Sequence, residues 1–155
     1  MEQWDDPVRE EHRALELQVD QLAATLHLDE ADGEWREILQ PLLRGLRAML
    51  EQHLLREERA LFPVLQRLLG QRASAIALLQ TEHQALRAHL QRLTDLLHRA
   101  GPPLRDEIAD EGRRFVQLFR NHEKTEDRLL LDVLHYSLSP TELETLSRTF
   151  ANETI

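Results

Sequence analysis

An all-α fold is what this sequence predicts, on three observations. The chain is rich in Leu, Ala, Glu, Gln and Arg, and holds only 5 glycines, 6 prolines and 5% aromatic residues, a balance that favours helix over strand nearly everywhere. Its apolar residues recur in alternating steps of three and four, the seam pattern of a helical bundle. The breaks between these stretches are short, so successive helices are expected to run antiparallel, giving an up-down-up-down four-helix bundle closed by a short C-terminal helix. At 155 residues with 41% hydrophobic content, residues 1–155 fit one domain with its own core.

The first segment, residues 6–28, carries the stripe Val8, His12, Leu15, Val19, Leu22, Leu26. Asp32 and Gly33 are expected to separate it from the second, residues 34–69, with the stripe Leu46, Leu50, His53, Glu57, Leu61, Val64, Leu68. Pro41 and Pro63 fall inside that second segment and predict bends or a late helix start, because proline lacks the N–H and crowds the preceding turn. Gly70 stands where a helix end favours a left-handed residue. The third segment, residues 71–99, runs Ile76, Leu79, His83, Leu86, Leu90, Leu93, Leu97. Gly101, Pro102 and Pro103 end it and open the fourth, residues 103–136, with Ile108, Phe115, Phe119, His122, Glu126, Leu129, Val133. Ser139, Pro140 and Glu142 read as N-cap, first-turn proline and first-turn acid of a helix that reaches about Phe150 and covers the bundle.

Charge and composition exclude several function classes. With 28 acidic and 19 basic residues the formal charge is −9 and no basic stripe interleaved with aromatics occurs, which argues against nucleic acid and against an anionic membrane surface. The absence of cysteine removes disulfides, thiolate nucleophiles and sulfur ligands, leaving nitrogen and oxygen as the donors for any metal. The N-terminus, MEQWDDPVREEH, has no signal-type apolar core, and no stretch approaches the roughly 20 apolar residues of a membrane span. A soluble, cytoplasmic protein is expected, with no indication of its oligomeric state.

The sequence repeats itself. EHRALELQVDQL from Glu11 aligns with EHQALRAHLQRL from Glu82, and QHLLREERALFPVL from Gln52 aligns with NHEKTEDRLLLDVL from Asn121. The chain reads as two copies of a helical hairpin, each supplying one lone histidine and one His-x-x-x-Glu pair. Residues four apart share a helix face, and long side chains lean toward the N-terminus, so Glu57 reaches beside His53 and Glu126 beside His122. Joined by His12 and His83, the two pairs make four nitrogens and two carboxylates at one level of the core, a donor set suited to two iron or manganese ions, with zinc also accommodated. One histidine on an apolar stripe is usually a hydrogen-bonded core residue. Six ionisable groups at one level are too costly to bury without compensation, and their spacing occurs twice.

Glu58 and Asp127, next to the paired glutamates, read as outward-facing charges, with Asp127 the alternative ligand. His27, His89, His98 and His135 fall beside the seam or at segment ends and read as surface or boundary histidines. The other bundle that builds two-metal sites, the ferritin-like type, uses Glu-x-x-His. That spacing is absent here, and Asp95 with His98 and Asp132 with His135 are only nearby imitations off the seam.

The chain resembles the hemerythrin-like, or HHE cation-binding, family over residues 8–136. The resemblance is carried by Glu11 and His12, HLLREERALFP from His53 to Pro63, Glu82 and His83, and HEKTED from His122 to Asp127. It implies a non-haem di-iron site with His12, His53, His83 and His122 as terminal ligands and Glu57 and Glu126 as bridges. It also implies a function of binding, sensing or reacting with oxygen, nitric oxide or peroxide, or of handling iron. A peroxide- or nitric-oxide-consuming enzyme, and a helical interaction module with a vestigial site, are the alternatives, so catalysis itself stays open. Oxygen-carrying members have a second histidine one turn after the third-helix ligand; here that place is Arg87, and its counterpart in the first hairpin is Glu16. Arg87 and Glu16 read as salt-bridged or solvated charges, or Glu16 as a further ligand or nearby acid, and either way reversible oxygen carriage is disfavoured.

Overall fold

The computed structural model describes residues 6–70, 74–99 and 105–153. Helices α1 (Asp6–Thr25) and α2 (Asp32–Arg56) are followed by a π-helical turn, Glu57–Leu61, that leads into α3 (Phe62–Leu69). Then come α4 (Ser74–His98), α5 (Arg105–Glu126), a second π turn at Asp127–Leu131, α6 (Asp132–Ser137) and α7 (Pro140–Asn152). No strand occurs among the described residues, and none of their helices is long and apolar enough to cross a membrane. α1 packs on α2 and α5, and α4 packs on α2 and α5, so the four long helices close a ring around a shared interior. α7 lies over α1 and the first π turn.

Most boundaries follow the punctuation read from the sequence. Ser139 caps α7 through a reciprocal pair, Glu142 N–H donating to Ser139 Oγ and Ser139 N–H donating to Glu142 Oε2 at 2.8 Å. Gly70 ends α3 at φ 52°, a conformation that glycine adopts without a Cβ penalty. Gly101, Pro102 and Pro103, and the expected start of the third segment at residues 71–73, lie outside the described residues.

Asp32 and Gly33 are the first correction, since they form the opening turn of α2 instead of the separator. The reason is Trp35, which is fully buried and donates its Nε1–H to Thr25 O at 2.7 Å. Its backbone N–H donates to Ala31 O at 2.9 Å, which carries the first helical turn back over Asp32 and Gly33. Of the two prolines, Pro41 sits within an unbroken α2. Pro63 falls in the first turn of α3, just past the π turn, where a missing N–H costs least.

The second correction concerns the seam beyond each His-x-x-x-Glu pair. The stripe was expected to continue through Val64 and Leu68, and through Leu129 and Val133. Instead Leu65 and Leu134 are fully buried, while Val64, Leu129 and Val133 are half-buried and Leu68 is exposed. A π turn holds one residue more than an α turn, so the inward face moves one position along the chain.

The apolar interior is divided in two. One cluster holds Leu15, Val19, Leu22, Leu50, Leu54, Leu86, Leu90, Phe115 and Phe119 together with Trp35 and its neighbours. The other holds Val8, Ala60, Leu61, Phe62, Leu65, Ile76, Leu79, Leu134 and, from α7, Leu143, Leu146 and Phe150. On α1, α4 and α5 the change from one cluster to the other falls at a histidine, His12 between Val8 and Leu15, His83 between Leu79 and Leu86, and His122 just past Phe119; on the α2 side it falls one residue past His53, between Leu54 and Ala60.

Replacing Trp35 by Phe removes the indole donor and leaves the Thr25 carbonyl with only its longer bond from Leu28 N–H, which should destabilise the fold by about 0.5–1.5 kcal/mol. Urea unfolding checks this, and an unchanged midpoint would mean that the bond does not secure the α1–α2 connection.

Candidate metal centre

Within each His-x-x-x-Glu pair the two side chains meet as the helical spacing requires. His53 Nε2 lies 2.9 Å from Glu57 Oε1, and His122 Nε2 lies 2.8 Å from Glu126 Oε1. The lone histidines close the arrangement across the bundle. His83 Nε2 is 3.2 Å from Glu57 Oε2 and 3.5 Å from Glu126 Oε1. His12 Nε2 is 3.3 Å from Glu126 Oε2 and 3.5 Å from Glu57 Oε1. All six residues are buried, and both glutamates are wholly inaccessible. The structure thus brings together every residue singled out by spacing.

The donors fall into two overlapping groups, His12, His53, Glu57 and Glu126 on one side and His83, His122, Glu57 and Glu126 on the other, with the atoms of each group within 4.8 Å of one another. The imidazoles pair accordingly, with ring centroids 4.8 Å apart for His12 and His53 and 4.9 Å apart for His83 and His122. Both glutamates belong to both groups. Phe62 covers His83 and Phe150 of α7 lies against His53, so the short C-terminal helix helps to close the site.

Each imidazole is held from behind by a carboxylate. His53 Nδ1–H donates to Glu11 at 2.8 Å, His122 Nδ1–H to Glu82 at 2.6 Å, and His83 Nδ1–H to Glu58 at 2.8 Å, while His12 Nδ1 faces Asp127 at 3.4 Å. An ionised carboxylate only accepts, so the three short contacts keep a proton on Nδ1 and turn Nε2 inward. The pattern obeys the internal repeat: Glu11 and Glu82 precede the lone histidines, and Glu58 and Asp127 follow the central glutamates. Glu58 and Asp127 therefore stand behind the rings, outside the two central groups.

Sequence reading missed these roles for Glu11 and Glu82, although the repeated Glu-His dipeptide was the available signal. Arg87 proves to be salt-bridged: its guanidinium holds Glu58 at 2.8 Å and Glu51 at 2.9 Å and reaches His83 only through Glu58. Glu16 is exposed, as are His27, His98 and His135. His89 is half-buried and pairs with the buried Glu111. A further residue went unnoticed: Glu123 on α5 is buried, with Oε1 lacking a hydrogen-bond partner.

The electrostatics are those of compensated buried charge. Burial alone would depress His53, but the Glu57 charge and the Glu11 contact override it and lift the group to about 9. His83 is likewise opposed by burial yet raised to about 10 by Glu126 and Glu57. His12 and His122 are raised against burial by their carboxylates. Burial and the neighbouring Glu57 push Glu126 upward, but His122 and His12 prevail and hold it at about 2. Glu57 also lies well below the carboxylate range, with burial outweighed chiefly by His53. Glu123 is the exception, raised to about 7 by burial.

These contacts still leave atoms unsatisfied. Glu57 Oε2, Glu126 Oε2 and His122 Nε2 are buried without a hydrogen bond in proper geometry, even though oppositely charged atoms lie close by. Their residues belong to the two groups whose donor atoms crowd within 4.8 Å of one another, an arrangement that a cation satisfies. The residues present thus fit metal-ion binding.

The sequence model of the hemerythrin HHE cation binding domain matches residues 5–139 of the chain. No curated protein and no solved structure matches it.

The shifts predict how the metal-free protein responds to pH. The raised imidazoles contribute stability that is full below their unfolded value of 6.5 and is lost as pH rises through about 9 for His53 and about 10 for His83. The depressed Glu126 contributes stability that is present above 4.5 and is lost as pH falls toward about 2. The cluster should therefore stabilise the metal-free fold most between pH 4.5 and 6.5. Denaturant unfolding of chelator-treated protein across pH checks this; stability that holds level or rises from pH 6.5 toward 10 would contradict it.

Proposed function

We propose a function for this chain, which belongs to the hemerythrin HHE cation-binding domain family: it holds two iron ions in one carboxylate-bridged centre and there binds or reacts with a small molecule such as dioxygen, nitric oxide or peroxide. The observation that carries the reading is the pair of overlapping donor groups that share both glutamates. In this assignment His12 and His53 are terminal ligands to one ion, His83 and His122 to the other, and Glu57 and Glu126 bridge. The set is imidazole nitrogen and carboxylate oxygen with no sulfur, which suits iron; manganese and zinc are the competitors that metal analysis must separate.

Iron bound there would supply the redox chemistry, while the chain's own residues set its conditions. Glu11, Glu82, Glu58 and Asp127 hold the imidazoles by their outer nitrogens, fixing the tautomer and raising ligand basicity. The apolar clusters on both sides of the layer keep bulk water away. Each group offers four donors, below the roughly six that iron commonly takes, so positions remain for water or a small ligand. Arg87, where oxygen carriers have a further histidine, is committed to Glu51 and Glu58. The resulting centre is open and favours reaction over reversible oxygen carriage.

Anaerobic loading with ferrous iron, followed by metal counting and then exposure to oxygen, tests the reading. Two irons per chain are expected, with an oxidised spectrum that persists on degassing. His53→Ala and His122→Ala should each lose about one iron, whereas His27→Ala, His98→Ala and His135→Ala should lose none. One iron or fewer in the unaltered protein, or unchanged content in both His53→Ala and His122→Ala, overturns the assignment. Recovery of the ferrous spectrum on degassing overturns the reactive reading in favour of carriage.

A further inference from the structure

Two arginines stand behind the outer carboxylates, and they lead to different parts of the fold. Arg87 of α4 holds Glu58 and Glu51, so its bonds stay between α4 and the α2 side of the bundle. Arg56 instead joins α1, α2 and α7. One turn past His53 on α2, its Nη1–H donates to Glu11 Oε1, while His53 Nδ1–H donates to Glu11 Oε2 at 2.8 Å. Its Nε–H donates to the Glu153 carbonyl at 3.2 Å. Both oxygens of one carboxylate on α1 are thus committed to a candidate ligand and to an arginine of the same helix.

Glu153 follows the last turn of α7, with its N–H donating to Phe150 O at 3.3 Å. A carbonyl at that helix end carries partial negative charge, which a guanidinium offsets. Arg59 meets the Glu153 side chain at 3.5 Å, and the Phe150 ring lies edge-on to His53 with centroids 6.4 Å apart. The end of α7 therefore bears on His53 twice, directly through Phe150 and indirectly through Arg56 and Glu11. The internal repeat does not require this link. When the His-x-x-x-Glu stretches are aligned, Thr125 stands where Arg56 does, and its hydroxyl donates within its own helix to Asn121 O at 3.0 Å. α7 itself begins at Pro140, past the residues 5–139 that the family model matches.

We propose that Arg56 is a positioning residue of the His12/His53 position: it aims Glu11 at His53 and ties that ligand to α7, so that metal at this position and docking of the last turn of α7 strengthen each other. The inference rests on the two-cation reading above and deepens it by making one position depend on an element outside the matched domain. Charge alone gives no reason for an arginine here, because a guanidinium behind a metal ligand opposes the charge of the cation. What it supplies is orientation, through two bonds in a fixed fork. The mutual strengthening is a matter of linkage, since contacts that favour metal are favoured by metal in return.

Zinc-loaded protein is diamagnetic, so nuclear magnetic resonance reads the two positions separately while metal analysis counts the ions. The unaltered protein should hold two Zn²⁺, and zinc should slow amide exchange in the last turn of α7. The Nδ1–H signals, assigned with His53→Ala and His122→Ala, should exchange slowly with water. In Arg56→Gln the His53 signal should exchange about tenfold faster with that of His122 unchanged, and one of the two zinc ions should bind about tenfold more weakly against a chelator. Zinc should then no longer slow exchange in α7. Arg56→Lys keeps the charge without the fork and should weaken the same ion, which decides the matter if the glutamine variant does not fold. Glu11→Gln should reproduce the weakening, and adding Arg56→Gln to it should cost no further affinity. Tighter zinc binding in Arg56→Gln, equal weakening of both ions, an unaltered His53 signal in both Arg56 variants, retained slowing in α7, or further loss in the double variant overturns the proposal while leaving the two-cation reading intact. Uptake of fewer than two zinc ions by the unaltered protein overturns both.

Discussion

Glu57 and Glu126 lie wholly buried between two apolar clusters, and the arrangement of the bundle around them keeps their charge compensated. An ionised carboxylate taken out of water carries a penalty on the order of several kcal/mol even after relaxation, and an apolar layer of similar volume would often serve stability as well or better. The polar layer is thus weak as a stability device, and its retention points to a ligand. Without cations the compensation comes from protons on the imidazoles. With cations those protons must leave, so metal and acid compete for the same four rings and metal affinity should rise with pH.

Precision in that layer comes from its second ring of carboxylates. Glu11, Glu82, Glu58 and Asp127 are more exposed than the histidines they hold, so their own desolvation is modest while their contacts fix the orientation of buried rings. Two adjacent carboxylates on each His-x-x-x-Glu helix do different work. Glu57 turns inward and Glu58 backs His83; Glu126 turns inward and Asp127 faces His12. The π turns begin at this point in both hairpins, and the wider turn rotates the following residues relative to a regular helix. Clamping by α7 completes the enclosure through Phe150, whose helix depends on the Ser139 capping box for a defined start.

Much of this is legible in the sequence because an apolar seam makes intruding polar residues conspicuous. His12, His53, Glu57, His83, His122 and Glu126 stand out as ionisable groups on stripes of leucine and phenylalanine, and the helix periods place them at one level. The outer carboxylates are less visible. Glu11, Glu58, Glu82 and Asp127 sit on faces where charge is ordinary, and only cross-helix packing shows which ring each one backs. The π turns leave no simple compositional mark, so the stripe extrapolated through Val64 and Val133 is displaced by one residue to Leu65 and Leu134. Asp32 and Gly33 look like a linker by composition, and the burial of Trp35 against Thr25 overrides that preference. Glu123 could be found in the sequence by comparing the repeats, since leucine faces glutamate there, but its burial becomes apparent only once the helices are packed.

The functional account turns on whether the layer holds two cations between shared carboxylates. Crystals of the iron-loaded protein, measured on both sides of the iron absorption edge, test this most directly. The account predicts two anomalous peaks between Glu57 and Glu126, one against His12 and His53 and the other against His83 and His122. A single peak, or iron bound away from this layer, would contradict it.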